Sequence, residues 1–330
     1  MKHPVNNRKN AVLFIVGPTA IGKSEIALRV ARKLQGEIVS ADSMQIYRGM
    51  DIGTGKPTRI QQREIRHHLL DFCAPSRIFS VYDFYRHAMK AIRDIGQRGR
   101  LPIVTGGSGL YIHALLQGLE TRPGPDYRLR KKLETQSRHH GILTLVKRLQ
   151  QVDPEAASKM DLKNERRIIR ALEVHALSKK NGNFKKEPRP SISECGFIPV
   201  VIGLRRNRDE LYRRIEKRID QMFRKGWVQE AKKLSRTRIA RTARQALGYR
   251  HLFHLFQSEN AASSARIRIL KDLVKKDTRH FAKRQMTWFR REENLMWVDW
   301  PPGRSAAELA HQICEIFSNQ ISPIIEQSHR

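Results

Sequence analysis

Apolar positions along the chain keep two rhythms. Short unbroken runs mark buried strands: VLFIV from Val12, EIVS from Glu37 to Ser40, LPIVT from Leu101 to Thr105 and FIPVVIGL from Phe197 to Leu204. Spacings of three and four mark helices between them. Ile26, Val30 and Leu34 make one buried stripe after the first run, and Phe84, Ala88, Ala91 and Ile95 another within Tyr82 to Gly96; Arg63 to Asp71 also reads as helical. From Leu119 to about Cys195 helices follow without strands: Asp126 to His140, Ile142 to Gln151 and Asn164 to Ser178, separated by Gly141 and Asp153-Pro154. Asn181 to Ser193 is a polar, Pro-containing linker. Leu211 to Leu234 carries Leu211, Ile215, Ile219 and Phe223 on one face, and Ser263 to Asn294 reads as one helix with Ile267, Leu270, Val274 and Phe281 inward. The pattern predicts an α/β chain: a discontinuous core of residues 1–118 and 196–330, and an α-helical insertion at 119–195.

Glycines between the first strand and helix change the picture. Gly17, Gly22, Lys23 and Ser24 fit G-x-x-x-x-G-K-[ST], flanked by the strand and helix that this motif requires. A loop entering a helix N-terminus offers unpaired N–H groups and about half a positive charge, so a polyphosphate is its expected occupant. The core is thus a P-loop-type parallel sheet, with Lys23 reaching the outer phosphates and Ser24 a Mg²⁺ ion. Asp42 follows the second strand and should face the same crevice, although an Asx turn or helix cap explains it locally. Gly106, Gly107 and Ser108 close the third strand and are a second candidate contact for the ligand; a plain tight turn is the other reading. That strand does not end in the Asp that would hold Mg²⁺ in an ordinary nucleoside triphosphatase. Residues 42–58, DSMQIYRGMDIGTGKPT, are too glycine-rich and irregular for a helix and read as an ordered functional loop.

Charge names the class of partner. The 330 residues carry a formal +32, and Val201 to Trp300 alone holds 26 Lys and Arg against 11 Asp and Glu. Such an excess repels itself unless an anion offsets it, which points to nucleic acid ahead of an acidic membrane. Tyr249, Trp288 and Phe289 interleaved with arginines suit unstacked RNA bases, and an ordinary amphipathic helix with core aromatics is the other reading. Three scattered cysteines argue for a reduced compartment and against a disulfide framework or zinc site. No apolar run approaches the ~20 residues of a membrane helix, so no membrane partner and a cytoplasmic location are expected.

GPTAIGKS, ADSMQIYRGMDIGTGKP, GGSGLYI, RRIIRALEV, RIEKRIDQM, RQALGYR and AKRQMTWFRR follow one another, over residues 11–300, in a way that resembles the bacterial-type tRNA dimethylallyltransferase family. Ser24 and Ser108 stand where Thr is usual, keeping the hydroxyl; CAPSRIFS, residues 73–80, lacks the family's acidic residues there. The resemblance implies transfer of a dimethylallyl group from dimethylallyl diphosphate to the exocyclic amine of the adenine 3′ of the anticodon, in tRNAs reading codons that begin with U. It implies Asp42 as general base and Ser108 as a catalytic hydroxyl near the leaving oxygen. Diphosphate would be held by Gly17, Pro18, Thr19, Ala20, Ile21, Gly22, Lys23 and Ser24 with Arg218, which on local grounds alone is a solvated salt-bridge residue, and by Mg²⁺ at Ser24.

The resemblance further implies tRNA contacts, through the anticodon stem-loop, at four blocks and by a monomeric chain. They are Asp42, Ser43, Met44 and Gln45; Arg166, Arg167, Ile168, Ile169 and Arg170 in the insertion; Gln245, Ala246, Leu247, Gly248, Tyr249 and Arg250; and Lys283, Arg284, Gln285, Met286, Thr287, Trp288, Phe289 and Arg290. Two other classes share part of the pattern. A small-molecule or nucleoside kinase has the loop and helix but no use for the basic C-terminal helices, and a non-catalytic RNA-binding protein has the charge but no use for Asp42.

Overall fold

The computed structural model describes residues 10–120, 122–180, 188–257 and 263–327. The chain up to Gly118 and from Pro190 onward forms one compact unit, and Leu119–Arg189 another. Residues 190–195, read from sequence as part of the insertion, pack with the first unit: the Ile192 N–H donates to Leu115 O at 2.7 Å. Residues 181–187 of the polar linker lie outside the described residues.

The first unit begins with β1 (Ala11–Val16), α1 (Lys23–Leu34) and β2 (Gly36–Ser40). There follow α2 (Arg59–Glu64), β3 (His67–His68), α3 (Val81–Gln97), β4 (Leu101–Gly106) and α4 (Gly109–Leu116). All strand pairs among the six strands of the sheet are parallel, in the order β3-β2-β4-β1-β5-β6. β1 and β4 are buried at every position, as strands covered on both faces must be. The helix expected over Arg63 to Asp71 is corrected: α2 stops at Glu64, Thr58 caps its start with Gln61, and His67–His68 pair with Ile38–Val39 of β2.

The second unit holds α5 (Tyr127–His140), α6 (Ile142–Val152), α7 (Pro154–Ser158) and α8 (Glu165–Lys180) around Leu133, Leu145, Leu149, Ile168 and Leu172. Glu173, a fully buried acid, takes bonds from Arg130 Nε at 2.8 Å and the Asp126 N–H at 2.7 Å, and pairs with Arg170. Burial pushes its pKa up, but those bonds outweigh it and the net shift is downward.

Back in the first unit come β5 (Ile198–Arg205), α9 (Arg208–Arg224), α10 (Trp227–Ser235), α11 (Arg241–Arg244), α12 (Tyr249–Leu255) and α13 (Ser264–Phe289). The single helix expected from Leu211 to Leu234 breaks at Gly226, whose φ of 95° ends one helix and opens the next. Met222 takes the buried place expected for Phe223, and on α13 Ala282 and Phe289 are buried where Ile267 and Phe281 are only half-buried. The sequence reading missed the short helices α4, α7, α11 and α12, and two elements near the end of the chain: β6 (Leu295–Asp299), which adds the outer strand beside β5, and α14 (Ala306–Gln327), which packs against α1 and has Leu309, Ile313 and Phe317 buried.

Candidate active site

Because the strands run in parallel, the residues just past β1, β2, β4, β5 and β6 share one edge of the sheet: the Gly17–Ser24 loop, Asp42, Ser108, Arg206 and Trp300. Asp42 opens an Asx turn, its Oδ1 accepting from the N–H of Met44 at 2.9 Å and of Gln45 at 3.4 Å. The local and the functional readings of Asp42 are therefore compatible, because among the described residues Oδ2 makes no hydrogen bond. Ser108 is tied to the same turn: its Oγ accepts from the Ser43 N–H at 3.1 Å, and its own N–H donates to Ala41 O at 3.3 Å.

The phosphate loop is held from several sides. Gly22 sits at φ 109°, and a β-carbon there would stand 2.6 Å from the Trp300 ring, so both conformation and space demand glycine. Arg218, on α9, donates from Nη1 to Thr19 Oγ1 at 3.2 Å and from Nη2 to Thr54 O at 3.1 Å. Burial presses its guanidinium below the ordinary range, with the Asp42 charge opposing. Lys23 folds back, Nζ donating to Pro18 O at 2.8 Å. Although part of its side chain stays open, the ammonium end is enclosed, and burial pushes its pKa down to about 7; the Asp42 charge works against that shift and the Arg218 charge with it. Lys23, Arg218 and Asp42 thus feel one another's charge.

Four residues of this arrangement were not singled out from sequence for holding the loop. Arg214 donates from Nε to Ala20 O at 3.1 Å, and Arg206 from Nε to Ile21 O at 3.2 Å with its guanidinium 3.6 Å from the Trp300 ring centroid. Arg214 lies one turn before Arg218, a spacing that could have found it. Gln285 on α13 accepts from the Thr19 N–H at 2.8 Å and donates to Gly107 O at 2.7 Å. Neither Gln285 nor Trp300 carries a local signal for such a role.

The blocks that resemblance assigns to tRNA divide by exposure. Arg166 and Arg167, Gln245 and Arg250, and Lys283, Arg284, Thr287 and Arg290 are exposed; Ser43, Met44, Leu247, Met286 and Trp288 are half-buried. Ile168, Ala246, Tyr249 and Phe289 are core residues, at most 2% exposed, and Ile169, Gln285, Gln45 and Gly248 are buried too. Tyr249 and Phe289 therefore present no ring to an RNA base. Arg170 is turned inward, donating from Nη2 to Pro123 O at 2.6 Å and pairing with Glu173.

Ser24 is exposed at the head of α1, and among the described residues no group of three or more His, Cys, Asp or Glu is placed to cage a metal ion. No helix among them is long and apolar enough to cross a membrane.

The IPP transferase family model matches residues 45–292. A tRNA dimethylallyltransferase of Acetivibrio thermocellus is 42% identical over 87% of this chain and 91% of its own, and one of Geobacter metallireducens 41% identical over 89% and 94%. The crystal structure of the full-length tRNA isopentenylpyrophosphate transferase of Bacillus halodurans superposes with a TM-score of 0.70 at 35% identity, covering 97% of this chain and 100% of that one. On this agreement of sequence and fold, the chain belongs to the IPP transferase family.

Proposed function

We propose that this chain transfers a dimethylallyl group from dimethylallyl diphosphate to tRNA, at the exocyclic amine of the adenine 3′ of the anticodon in tRNAs reading codons that begin with U. The observation that carries the reading is the meeting of a phosphate loop with a carboxylate: Asp42 shares its turn with Ser108 and bears electrostatically on both Lys23 and Arg218. The adenine nitrogen attacks the first carbon of the prenyl group, the carbon–oxygen bond breaks toward diphosphate, and the proton of the amine passes to Asp42 Oδ2. An adenine amine is a poor nucleophile because its lone pair is delocalised, so a placed base is worth ~10²- to 10⁴-fold. Lys23, Arg218 and the N–H groups at the head of α1 stabilise the charge that gathers on the leaving diphosphate, with Ser108 beside its bridging oxygen.

The chemistry of the donor set fits Mg²⁺ bound largely by the diphosphate and water, since the described residues offer the Ser24 hydroxyl and no carboxylate cage. Such an ion supplies charge neutralisation to the leaving group. The exposed arginines and lysines of α13, with Arg250 and with Arg166 and Arg167 of the inserted unit, are the groups we assign to the anticodon stem-loop, and a monomer suffices for this work. The absence of an Asp at the end of β4 argues against the kinase reading.

Mass spectrometry of tRNA incubated with the purified protein, Mg²⁺ and dimethylallyl diphosphate tests the proposal. One added five-carbon unit on that adenosine is expected. Phosphorylation of a small molecule with ATP and unaltered tRNA would replace it with the kinase reading; tRNA binding with no product would leave a binding protein.

A further inference from the structure

The loop after Tyr47 is gripped on its outer side by a carboxylate that neither composition nor motif singled out. Glu230, on α10, accepts from three successive backbone N–H groups: Asp51 at 2.9 Å and Ile52 at 2.8 Å to Oε2, and Gly53 at 3.2 Å to Oε1. Consecutive N–H groups turned to one side make an anion-binding concavity, and here the chain's own carboxylate fills it. The Tyr249 hydroxyl donates to the same carboxylate. Burial, with the Glu230 charge second, holds that phenol above its ordinary range, so it remains a donor at working pH. Trp227, one turn before Glu230, wedges its indole between two backbones: a β-carbon on Gly53 would fall 1.9 Å from its Nε1, and one on Gly248 2.1 Å from its ring. α10 is thereby seated against the loop.

The inner side of the same loop meets the phosphate site. Thr54 O accepts from Arg218 Nη2 at 3.1 Å and from Gln45 Nε2 at 3.2 Å, and Gly55 O from Gln45 Nε2 at 3.4 Å. Lys56 closes the loop with bonds of 2.6 Å to both Asp51 and Asp71. The loop also walls a cavity of about 420 Å³ floored by Arg218, Gln221 and Met222. One guanidinium therefore has its two terminal nitrogens committed to two walls, Thr19 of the phosphate loop and Thr54 of this one. Where Thr54 stands decides where Arg218 points.

From this geometry we propose that Glu230 is a positioning residue for the prenyl donor: by holding the N–H groups of residues 51–53 it fixes Thr54, and through Thr54 it aims Arg218 at the diphosphate. Tyr249, which resemblance assigns to RNA, serves the donor side through the same carboxylate. The inference rests on Arg218 being a diphosphate ligand.

The test is steady-state kinetics of the full chain with both substrates, together with equilibrium tRNA binding. Glu230→Gln keeps the volume but turns an amide against backbone N–H groups. It is expected to raise KM for dimethylallyl diphosphate about tenfold, with kcat within about threefold and the tRNA Kd within about twofold. Tyr249→Phe, which leaves the loop bonds in place, should raise the same KM by about threefold. In an Arg218→Ala background the Glu230→Gln effect should vanish, as it must for a residue acting through another. A raised donor KM in Arg218→Ala beside an unchanged one in Glu230→Gln overturns this inference alone. An unchanged KM in Arg218→Ala overturns the reading of Arg218 itself and the route drawn through it. Equal rises in KM for donor and tRNA, or full additivity in the double variant, reduce Glu230 to a structural residue and overturn the inference as well.

Discussion

Gln285 holds Thr19: its Oε1 accepts the Thr19 N–H at 2.8 Å, while its Nε2 reaches Gly107 O at 2.7 Å, so one buried amide of the long basic helix joins the loops after β1 and β4. A side chain with one acceptor and one donor end is what that bridge needs. Gln285→Ala leaves the buried Gly107 C=O unpaired, which costs about 1–3 kcal/mol, and releases the N–H of half-buried Thr19. Gln285→Glu keeps the acceptor, loses the donor and sets a negative charge against the Gly17–Ser24 loop, where the diphosphate is proposed to sit. Both variants should melt earlier than the parent, and the donor KM should rise more in Gln285→Glu. Equal KM values in the two would mean that charge at this position does not reach the donor.

Asp42 offers a cleaner separation of structure from chemistry. Asparagine retains the Oδ1 that accepts from Met44 and Gln45, so the turn survives while the proposed proton acceptor is lost. Asp42→Asn should keep its melting temperature and bind tRNA within several-fold of the parent, yet lose about 10²- to 10⁴-fold in single-turnover rate. Turnover close to parental would remove Asp42 from the proton transfer.

The strands β1, β2, β4 and β5 and the phosphate loop were legible because their signals are local: an apolar run has to be buried, and a glycine-bounded loop before a helix has few other uses. His67–His68 was not, since two residues become a strand only by pairing with Ile38–Val39. β6 and α14 hide for a related reason. Leu295–Asp299 is short and mixed, and earns its place by pairing with Val201–Arg205. The site divides the same way. Lys23 and Asp42 could be named from their own neighbours in sequence, whereas Gln285, Glu230 and Trp300 act across separations that leave no periodicity behind. The reading of Tyr249 and Phe289 as base platforms failed because an aromatic beside arginines reads alike whether its ring faces RNA or the core.

If Lys23 meets the diphosphate as proposed, donor binding should depend on pH. Its ammonium, ordinarily near 10.5, is lowered to about 7 by burial, so above that pH the free site holds a neutral amine. A bound diphosphate favours the charged form, and binding must then take up a proton. Calorimetry at about pH 8 in buffers of different ionisation enthalpy should show uptake approaching about one proton, falling toward zero at about pH 6. Between the folded value of about 7 and the ordinary 10.5, the unfolded chain holds a proton that the folded chain does not, so the stability of the unliganded protein should rise with pH across that window. Lys23→Met should flatten this slope and raise the melting temperature near neutral pH while abolishing turnover. No proton uptake at about pH 8 would show that the amine is already charged.

Trp288 and Phe289 are adjacent, and exposure assigns them opposite tasks. Phe289 is 0% exposed at the end of α13, so Phe289→Ala should cost about 3–5 kcal/mol of stability through the cavity that it leaves. Trp288 is half-buried: its ring lies edge-on to His113 at 5.9 Å and against Gly109, the residue after Ser108, on a helix that also carries the exposed Arg284. Under the proposed function, this ring is the one of the pair left to meet a base of the anticodon loop. Stacking of one base is worth about 1–3 kcal/mol, so Trp288→Ala should weaken tRNA binding by about tenfold with little change in melting temperature. Phosphate contacts should survive in that variant. The log–log salt dependence, about −0.7 to −0.9 per phosphate contact, should therefore keep its slope and shift only in level. A steep loss of slope in Trp288→Ala, or an unchanged Kd, would mean that RNA does not stack there and that the cations of α13 bind it alone.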